Sequence, residues 1–113
     1  ARTPPPMSVL FCFSTCPDAA SAERIADILV GERLAACVNL LPGLRSVYRW
    51  EGGVEHADEV LLLIKTRPDR LAPLQQRLLE LHPYELPELV AVETGLGLPA
   101  YLRWIADATR PEP

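Results

Sequence analysis

The stretch LAACVNLLPGLRSVYRWEGGVEHADEVLLLIKT, residues 34–66, decides the fold. Two runs rich in β-branched and aromatic residues flank Glu51-Gly52-Gly53, and the two glycines supply the positive φ angles that a tight hairpin needs. The stretch therefore predicts one long β-hairpin with arms at residues 36–50 and 54–66. At about 3.3 Å per residue, each arm would extend roughly 40–50 Å, well beyond a usual strand. Such a hairpin must reach past the body of a small domain.

The rest of the chain predicts two short strands and three helices. Residues 8–14 and 88–94 have the apolar, β-branched character of strands. Helical spacing of apolar residues predicts helices over residues 18–33, 68–82 and 99–109. The resulting order, β-α-β-β-α-β plus a C-terminal helix, is that of the α+β, ferredoxin-like split βαβ fold.

The predicted central strands indicate an oligomer. In this fold two helices cover one face of a four-stranded sheet and leave the other face open. Residues 9–13 and 60–64 are apolar at successive positions, so neither face of the sheet is suited to water. We therefore expect further copies of the chain to cover the open face and the protruding hairpin.

Length and charge narrow the classes of function. The 113 residues, 49% of them hydrophobic, suit one domain at residues 8–110, with residues 1–7 expected to be a frayed tail or an expression remnant. The net charge is −4 and the basic residues are scattered singly, which disfavours nucleic acid and anionic membranes as partners. The longest apolar run, residues 60–64, is too short to span a bilayer. We expect a soluble, cytoplasmic protein.

The cysteines, Cys12, Cys16 and Cys37, are odd in number and lack the CxxC spacing of zinc ribbons. We expect reduced thiols. Cys37 nevertheless joins His82 and Glu88 as a candidate metal ligand, because nitrogen and oxygen donors suit borderline divalent cations and a thiolate adds preference for copper. These three residues predict a site for copper(II) or another divalent cation. The plainer interpretation is that His82 ends a helix and Cys37 is a packed thiol.

A second set of residues is predicted to line a cleft between protomers. An amide, a lone lysine and three aromatic side chains lie near the ends of apolar runs, although simple packing would also explain the aromatic residues. The set comprises Asn39, Trp50, Lys65, Tyr84 and Trp104. No Ser-His-Asp order, phosphate-binding loop or pair of catalytic acids is present in the sequence, so we expect no enzymatic activity.

Five short motifs resemble the CutA family, the divalent-cation tolerance proteins. They are LAACVN (residues 34–39), Tyr48-x-Trp50-x-Gly52, Lys65-Thr66, HPYELPEL (residues 82–89) and Tyr101-Leu102-x-Trp104. The resemblance implies a ferredoxin-like protomer assembled as a homotrimer, with long hairpins pairing between neighbours, and a role in tolerance of copper and other divalent metals. One departure is Ser14, which stands where many family members have a cysteine.

Taken together, these features predict a homotrimeric divalent-cation tolerance protein that responds to metal ions, binding copper or another divalent cation without turnover. The alternative is a trimeric signalling module resembling the PII proteins, which would bind a small ligand in clefts between subunits. The lack of a basic cluster speaks against a triphosphate ligand. A small enzyme of the acylphosphatase type is a third possibility, but the paired Arg/Asn loop of that type is missing.

Overall fold

The computed structural model describes residues 7–112. Its strands are β1 (Val9–Cys16), β2 (Cys37–Trp50), β3 (Gly53–Thr66) and β4 (Val90–Thr94), and its helices are α1 (Ala19–Gly31), α2 (Leu71–Leu81) and α3 (Pro99–Ala108). The strands form one antiparallel sheet in the order β2-β3-β1-β4. This arrangement confirms the predicted α+β, ferredoxin-like order with β1 and β3 at the centre. Of the predicted tail, residues 1–6 lie outside the described residues.

The β2–β3 hairpin makes the molecule elongated, as predicted. Its two strands pair from Cys37 opposite Lys65 to Trp50 opposite Gly53. The molecule measures 57 × 26 × 22 Å, and its radius of gyration is 15.5 Å. A compact chain of this length would have a radius of gyration of about 13 Å. The hairpin therefore extends well beyond the body of the domain.

Two left-handed residues close the hairpin. Glu51 has φ 48° and Gly52 has φ 82°, a pair of positive values that matches a type I′ turn. Gly53 is already paired with Trp50 as the first residue of β3. The predicted turn, Glu51-Gly52-Gly53, is therefore one residue too long. Glu51, rather than a second glycine, occupies the first left-handed position.

A β-bulge interrupts the first arm at the predicted place. The pairing register shifts between Leu41 and Leu44, and Gly43 adopts φ 82°. Since Pro42 has no N–H to donate to the ladder, an unpaired bulge is a position where proline can stand within a strand. Pairing resumes beyond the bulge, so the distal hairpin remains two-stranded.

The main core lies between the sheet and helices α1 and α2. Asp18 caps α1, and its carboxylate accepts a hydrogen bond of 2.8 Å from the backbone N–H of Ser21. Fully buried apolar side chains fill the space between the layers, among them Cys12, Ile25, Leu29, Leu62, Ile64, Leu74 and Leu78. Within residues 7–112, no helix is long and apolar enough to cross a membrane.

Several element boundaries differ from the prediction. β1 continues to Cys16, two residues beyond its predicted end. α1 ends before Arg33, because that residue adopts φ 62°. α2 follows a 3₁₀ turn at Pro68–Arg70 rather than beginning at the proline. β4 begins at Val90, so Glu88 lies outside the strand in the preceding loop.

The second face of the sheet is apolar and largely uncovered. α3 packs over one end of it, where Val9, Leu102 and Ile105 form a small buried cluster. The strand register places the remaining apolar side chains on the same side, and we call this surface the open face: Phe13, Leu41, Leu61, Leu63, Val90 and Val92. Leu41, Val90 and Val92 are 46%, 56% and 53% exposed. The prediction that neither sheet face is polar is therefore confirmed.

Candidate functional site

A cavity of about 620 Å³ lies between the hairpin and the loop that joins α2 to β4. We call it the hairpin cavity. Its walls carry three carboxylates and three aromatic rings, from Glu59, Glu85, Glu88, Tyr48, Trp50 and Tyr84. No lysine or arginine lines it among the described residues. The cavity therefore has a negative potential and an aromatic surface, which suits a cationic ligand and disfavours a polyphosphate.

Glu59 is the buried acid of this cavity, with only 9% of its surface exposed. The hydroxyl of Tyr84 donates a hydrogen bond of 2.5 Å to its Oε2 atom. Burial alone would raise the pKa of this carboxyl, but the hydroxyls of Ser46, Tyr84 and Thr15 outweigh burial and hold the pKa below its usual value. Burial and the bond to Glu59 in turn raise the pKa of Tyr84, which stays a donor. At neutral pH the cavity thus holds an ionised, oriented carboxylate.

His82 forms a hydrogen bond with the backbone of Tyr84 and so helps to hold Tyr84 in place. The histidine is 8% exposed, and its Nε2 atom lies 2.8 Å from the carbonyl oxygen of Thr15. Its Nδ1 atom lies 3.1 Å from the backbone nitrogen of Tyr84. Since the carbonyl can only accept and the backbone N–H can only donate, these contacts place the ring proton on Nε2. A chain of hydrogen bonds therefore runs from Thr15 through His82 and Tyr84 to Glu59.

The predicted metal ligands are not brought together in one protomer. Glu88 lines the hairpin cavity, whereas Cys37 pairs with Lys65 near the opposite end of β3. Both ring nitrogens of His82 are occupied by hydrogen bonds. Within residues 7–112, no three His, Cys, Asp or Glu side chains are grouped so that they could hold a metal ion. The metal site stays a prediction, and the geometry speaks against His82 as one of its ligands.

A second polar group lies near the far end of β3, beside α3. The Nζ atom of Lys65 donates a hydrogen bond of 3.1 Å to the hydroxyl of Tyr101 and lies 5.5 Å from the ring centroids of both Phe11 and Tyr101. The rings of Tyr101 and Trp104 are 5.5 Å apart. Lys65 has no carboxylate partner within the described residues. It is a cation held by aromatic rings.

The predicted cleft residues divide between these two places. Trp50 and Tyr84 line the hairpin cavity, whereas Lys65 and Trp104 belong to the cluster beside α3. Asn39 is exposed opposite Leu63 on the open face. In a single protomer the five residues do not share one cleft. Their assignment to a common cleft remains a prediction that requires neighbouring copies.

Glu59 lines the hairpin cavity but is not among the residues that the sequence predicts for a site. One signal was available, because Glu59 shares its strand face with Leu61 and Leu63 and so places a carboxylate on an otherwise apolar face. Its partner could not be found that way. Tyr84 lies 25 residues further along the chain and reaches Glu59 only through the fold of the loop after α2.

The thiols of β1 are inert packing groups. Cys12 and Cys16 are fully buried, and burial raises the pKa of each to about 11. Ser14 lies between them in the strand and is also fully buried, with no hydrogen-bond partner for its hydroxyl within the described residues. Neither cysteine of β1 is therefore a thiolate at neutral pH.

The chain is similar in sequence to proteins of one family along most of its length. Residues 10–108 match the family described as CutA1 divalent ion tolerance protein. The divalent-cation tolerance protein CutA of Thermus thermophilus is 47% identical over 84% of this chain and 92% of its own length. The mouse protein CutA is 42% identical over 92% of this chain, and the chain spans 59% of the mouse protein's length.

Solved structures share the fold along most of the chain. The crystal structure of CutA from Xylella fastidiosa has a TM-score of 0.88 and 52% sequence identity, covering 90% of this chain and 98% of its own. The crystal structure of CutA1 from Oryza sativa has a TM-score of 0.90 and 37% identity, covering 95% and 98%.

Proposed function

Because the chain belongs to the CutA1 divalent ion tolerance protein family, we propose that it is a homotrimeric divalent-cation tolerance protein that responds to metal ions without catalysing a reaction. The family match over residues 10–108 is the observation that carries this proposal. The names of the relatives support the link to divalent cations. The proposal has three parts: the ligand is a divalent cation, the assembly has three subunits, and no reaction is catalysed.

The open face supports assembly. Its apolar side chains, including Val90 and Val92, are about half exposed in a single chain, which is unusual for a contiguous sheet surface. Burying apolar surface stabilises by about 25 cal/mol per Å², so packing these faces together would favour association strongly. The proposed number of three subunits comes from the resemblance to the CutA family.

We propose that the metal ion, copper(II) or another divalent cation, binds where two copies meet. Cys37 and Glu88 lie toward opposite ends of β3, so they can share one ion only if they come from different protomers. Cys37 is half-buried and Glu88 is exposed, so both side chains have access to the surface. A thiolate with a carboxylate is a donor set that favours copper over magnesium or calcium.

Light scattering and copper titration test the proposal. Light scattering should give the mass of three chains of 12.5 kDa, and titration with copper(II) should show about one ion per protomer. Cys37→Ser and Glu88→Gln should each weaken copper binding, whereas Glu80→Gln, on the exposed side of α2, should not. A monomer with no copper uptake would refute both parts.

We also place the protein in the cytoplasm, a reducing compartment. The three free cysteines, Cys12, Cys16 and Cys37, support that location, because unpaired thiols persist where glutathione keeps them reduced. Fractionation of cells that express the tagged chain would test it. Recovery in an oxidising compartment with modified thiols would contradict it.

A further inference from the structure

We propose that Arg33 is a positioning residue that holds α3 against the sheet and thereby sets where the apolar open face ends. Its backbone conformation is unusual, and its side chain reaches the C-terminal end of α3. The open face is the surface through which copies of the chain are proposed to associate. That part of the inference rests on the proposed assembly, whereas the attachment of α3 by Arg33 does not.

Arg33 occupies a position that usually belongs to glycine. At the end of α1, the backbone N–H of Arg33 bonds to the carbonyl oxygen of Val30 at 3.1 Å. The N–H of Leu34 bonds to the carbonyl oxygen of Leu29 at 2.9 Å. These two bonds form a Schellman motif, which places a residue with positive φ just after the helix. Arg33 has φ 62°, a conformation that costs free energy for any residue other than glycine, so its side chain is a candidate for a role of its own.

The side chain of Arg33 binds the end of α3, 74 residues further along the chain. Its Nε atom donates a hydrogen bond of 2.7 Å to the carbonyl oxygen of Arg110, and its Nη2 atom donates one of 3.1 Å to that of Asp107. Arg67 donates a third, of 3.3 Å, to the carbonyl oxygen of Ala106. The last carbonyls of a helix lack partners within it and carry partial negative charge, so guanidinium groups stabilise them. We call Arg33, Arg67 and these three carbonyls the arginine clamp.

α3 depends on such attachments because it is short. It has ten residues and no side-chain hydrogen bond at its N-cap, and isolated helices of that length are marginal in water. Leu102 and Ile105 pack it on Val9. At its N-terminal end, Lys65 donates a hydrogen bond of 3.1 Å to the hydroxyl of Tyr101. The arginine clamp supplies the polar attachment at the opposite end.

α3 covers the continuation of the open face. Val9 and Phe11 lie on the same side of β1 as Phe13, because side chains alternate along a strand. Phe13 belongs to the open face, whereas Val9 and Phe11 lie in the cluster under α3. Displacement of α3 would extend the apolar surface from Phe13 to Val9 and expose the underside of the helix. A larger apolar surface favours contacts that do not close into a ring, so α3 limits the face that copies share.

Hydrogen–deuterium exchange of the full chain, followed by mass spectrometry of peptides from α1 and α3, tests the clamp. In Arg33→Gly the amides of α3 should exchange about tenfold faster, because hydrogen bonds from a charged group are lost. The amides of α1 should exchange no faster, because glycine fits the left-handed position after that helix. Unchanged exchange in α3, or equal acceleration in both helices, would overturn the proposal.

Three further variants separate the side chain of Arg33 from its backbone. Arg33→Ala keeps a non-glycine residue at the left-handed position, so it should accelerate α3 as much as Arg33→Gly but unfold at a lower urea concentration. Arg33→Lys keeps the charge without the planar fork and should restore part of the protection. Arg103→Gln removes a guanidinium from the exposed side of α3 and should change nothing. Wild-type protection of α3 in Arg33→Ala would show that the clamp contributes nothing.

The double variant Arg33→Gly with Arg67→Gln tests the link to assembly. Light scattering over a concentration series should give one fixed mass for the wild type and masses that grow with concentration for the double variant. Faster exchange in α3 with an unchanged mass would refute the role of α3 in limiting the open face. A monomeric wild type would instead refute the proposed assembly, and the exchange of α3 would still decide whether the clamp exists.

Discussion

The hydroxyl of Tyr84 and the carboxylate of Glu59 are 2.5 Å apart, and this contact joins the loop after α2 to the hairpin. The two residues are 25 positions apart in the chain, so the contact depends on the tertiary fold. Behind it, His82 accepts the backbone N–H of Tyr84 and donates to Thr15. The loop is thereby held against both β1 and β3, and the hairpin cavity keeps its shape.

Removing the hydroxyl of Tyr84 should show that Tyr84 and Glu59 stabilise the fold together. Tyr84→Phe should lower the free energy of unfolding by about 1–2 kcal/mol, because a hydrogen bond to a charged acceptor is lost. In a double-mutant cycle with Glu59→Gln, the interaction energy should be about 1 kcal/mol. Tyr101→Phe, which loses its bond to Lys65 beside α3, should show no coupling to Glu59→Gln. Additive effects of Tyr84→Phe and Glu59→Gln in urea denaturation would contradict this prediction.

Replacing His82 should lower the stability of the fold and leave copper binding unchanged. His82→Ala leaves the Thr15 carbonyl and the Tyr84 N–H without partners, so we expect a loss of about 2–3 kcal/mol. His82→Asn keeps an acceptor near Nδ1 and should be milder. Copper affinity, measured by titration of the folded variants, should not change. A folded His82→Ala variant with weakened copper binding would restore the prediction of His82 as a metal ligand.

The depressed pKa of Glu59 gives a pH dependence of known sign. A carboxyl whose pKa is lower in the folded state stabilises the fold above the unfolded value of 4.5, and this contribution is lost as the pH falls through the folded pKa. The stability advantage of the wild type over Glu59→Gln should therefore shrink below pH 4.5. Urea denaturation from pH 3 to 7 at fixed protein concentration measures it. A constant difference across that range would refute the assignment, and Glu23→Gln serves as the exposed control.

The fold was predictable because its signals are local. Strand-forming runs on both sides of a glycine turn predict the hairpin, and the proline at position 42 predicts the bulge before any contact is known. The errors are also local, since a glutamate at position 51 can adopt a positive φ that sequence patterns assign to glycine.

The site was only partly predictable because it depends on contacts between distant segments. Trp50, Tyr84 and Glu88 were predicted to be functional and do line the hairpin cavity. Glu59 was missed because its role depends on Tyr84, and the orientation of His82 could not be inferred from spacing. Residue types indicate possible chemistry, whereas the tertiary fold decides which donors and acceptors are already occupied.

The buried thiols of β1 should resist alkylation. Burial raises the pKa of Cys12 and Cys16 to about 11, so both are protonated at pH 8, and neither is exposed. Iodoacetamide should modify these two cysteines only after denaturation, as measured by mass spectrometry of digested protein. In the variant Cys37→Ser the native protein should show no modification. Rapid labelling of Cys12 or Cys16 in folded protein would contradict the packing of β1.

A negative charge introduced on the open face should dissociate the oligomer. Val92 is 53% exposed on that face, and Val92→Asp would bury an unpaired carboxylate wherever a neighbour covers it, at a cost of several kcal/mol. Leu79 on α2 is 59% exposed away from the face, so Leu79→Asp is a matched control. Light scattering over a dilution series should show dissociation of Val92→Asp and an intact oligomer for Leu79→Asp. An undisturbed oligomer in both variants would mean that the copies associate through the hairpins alone.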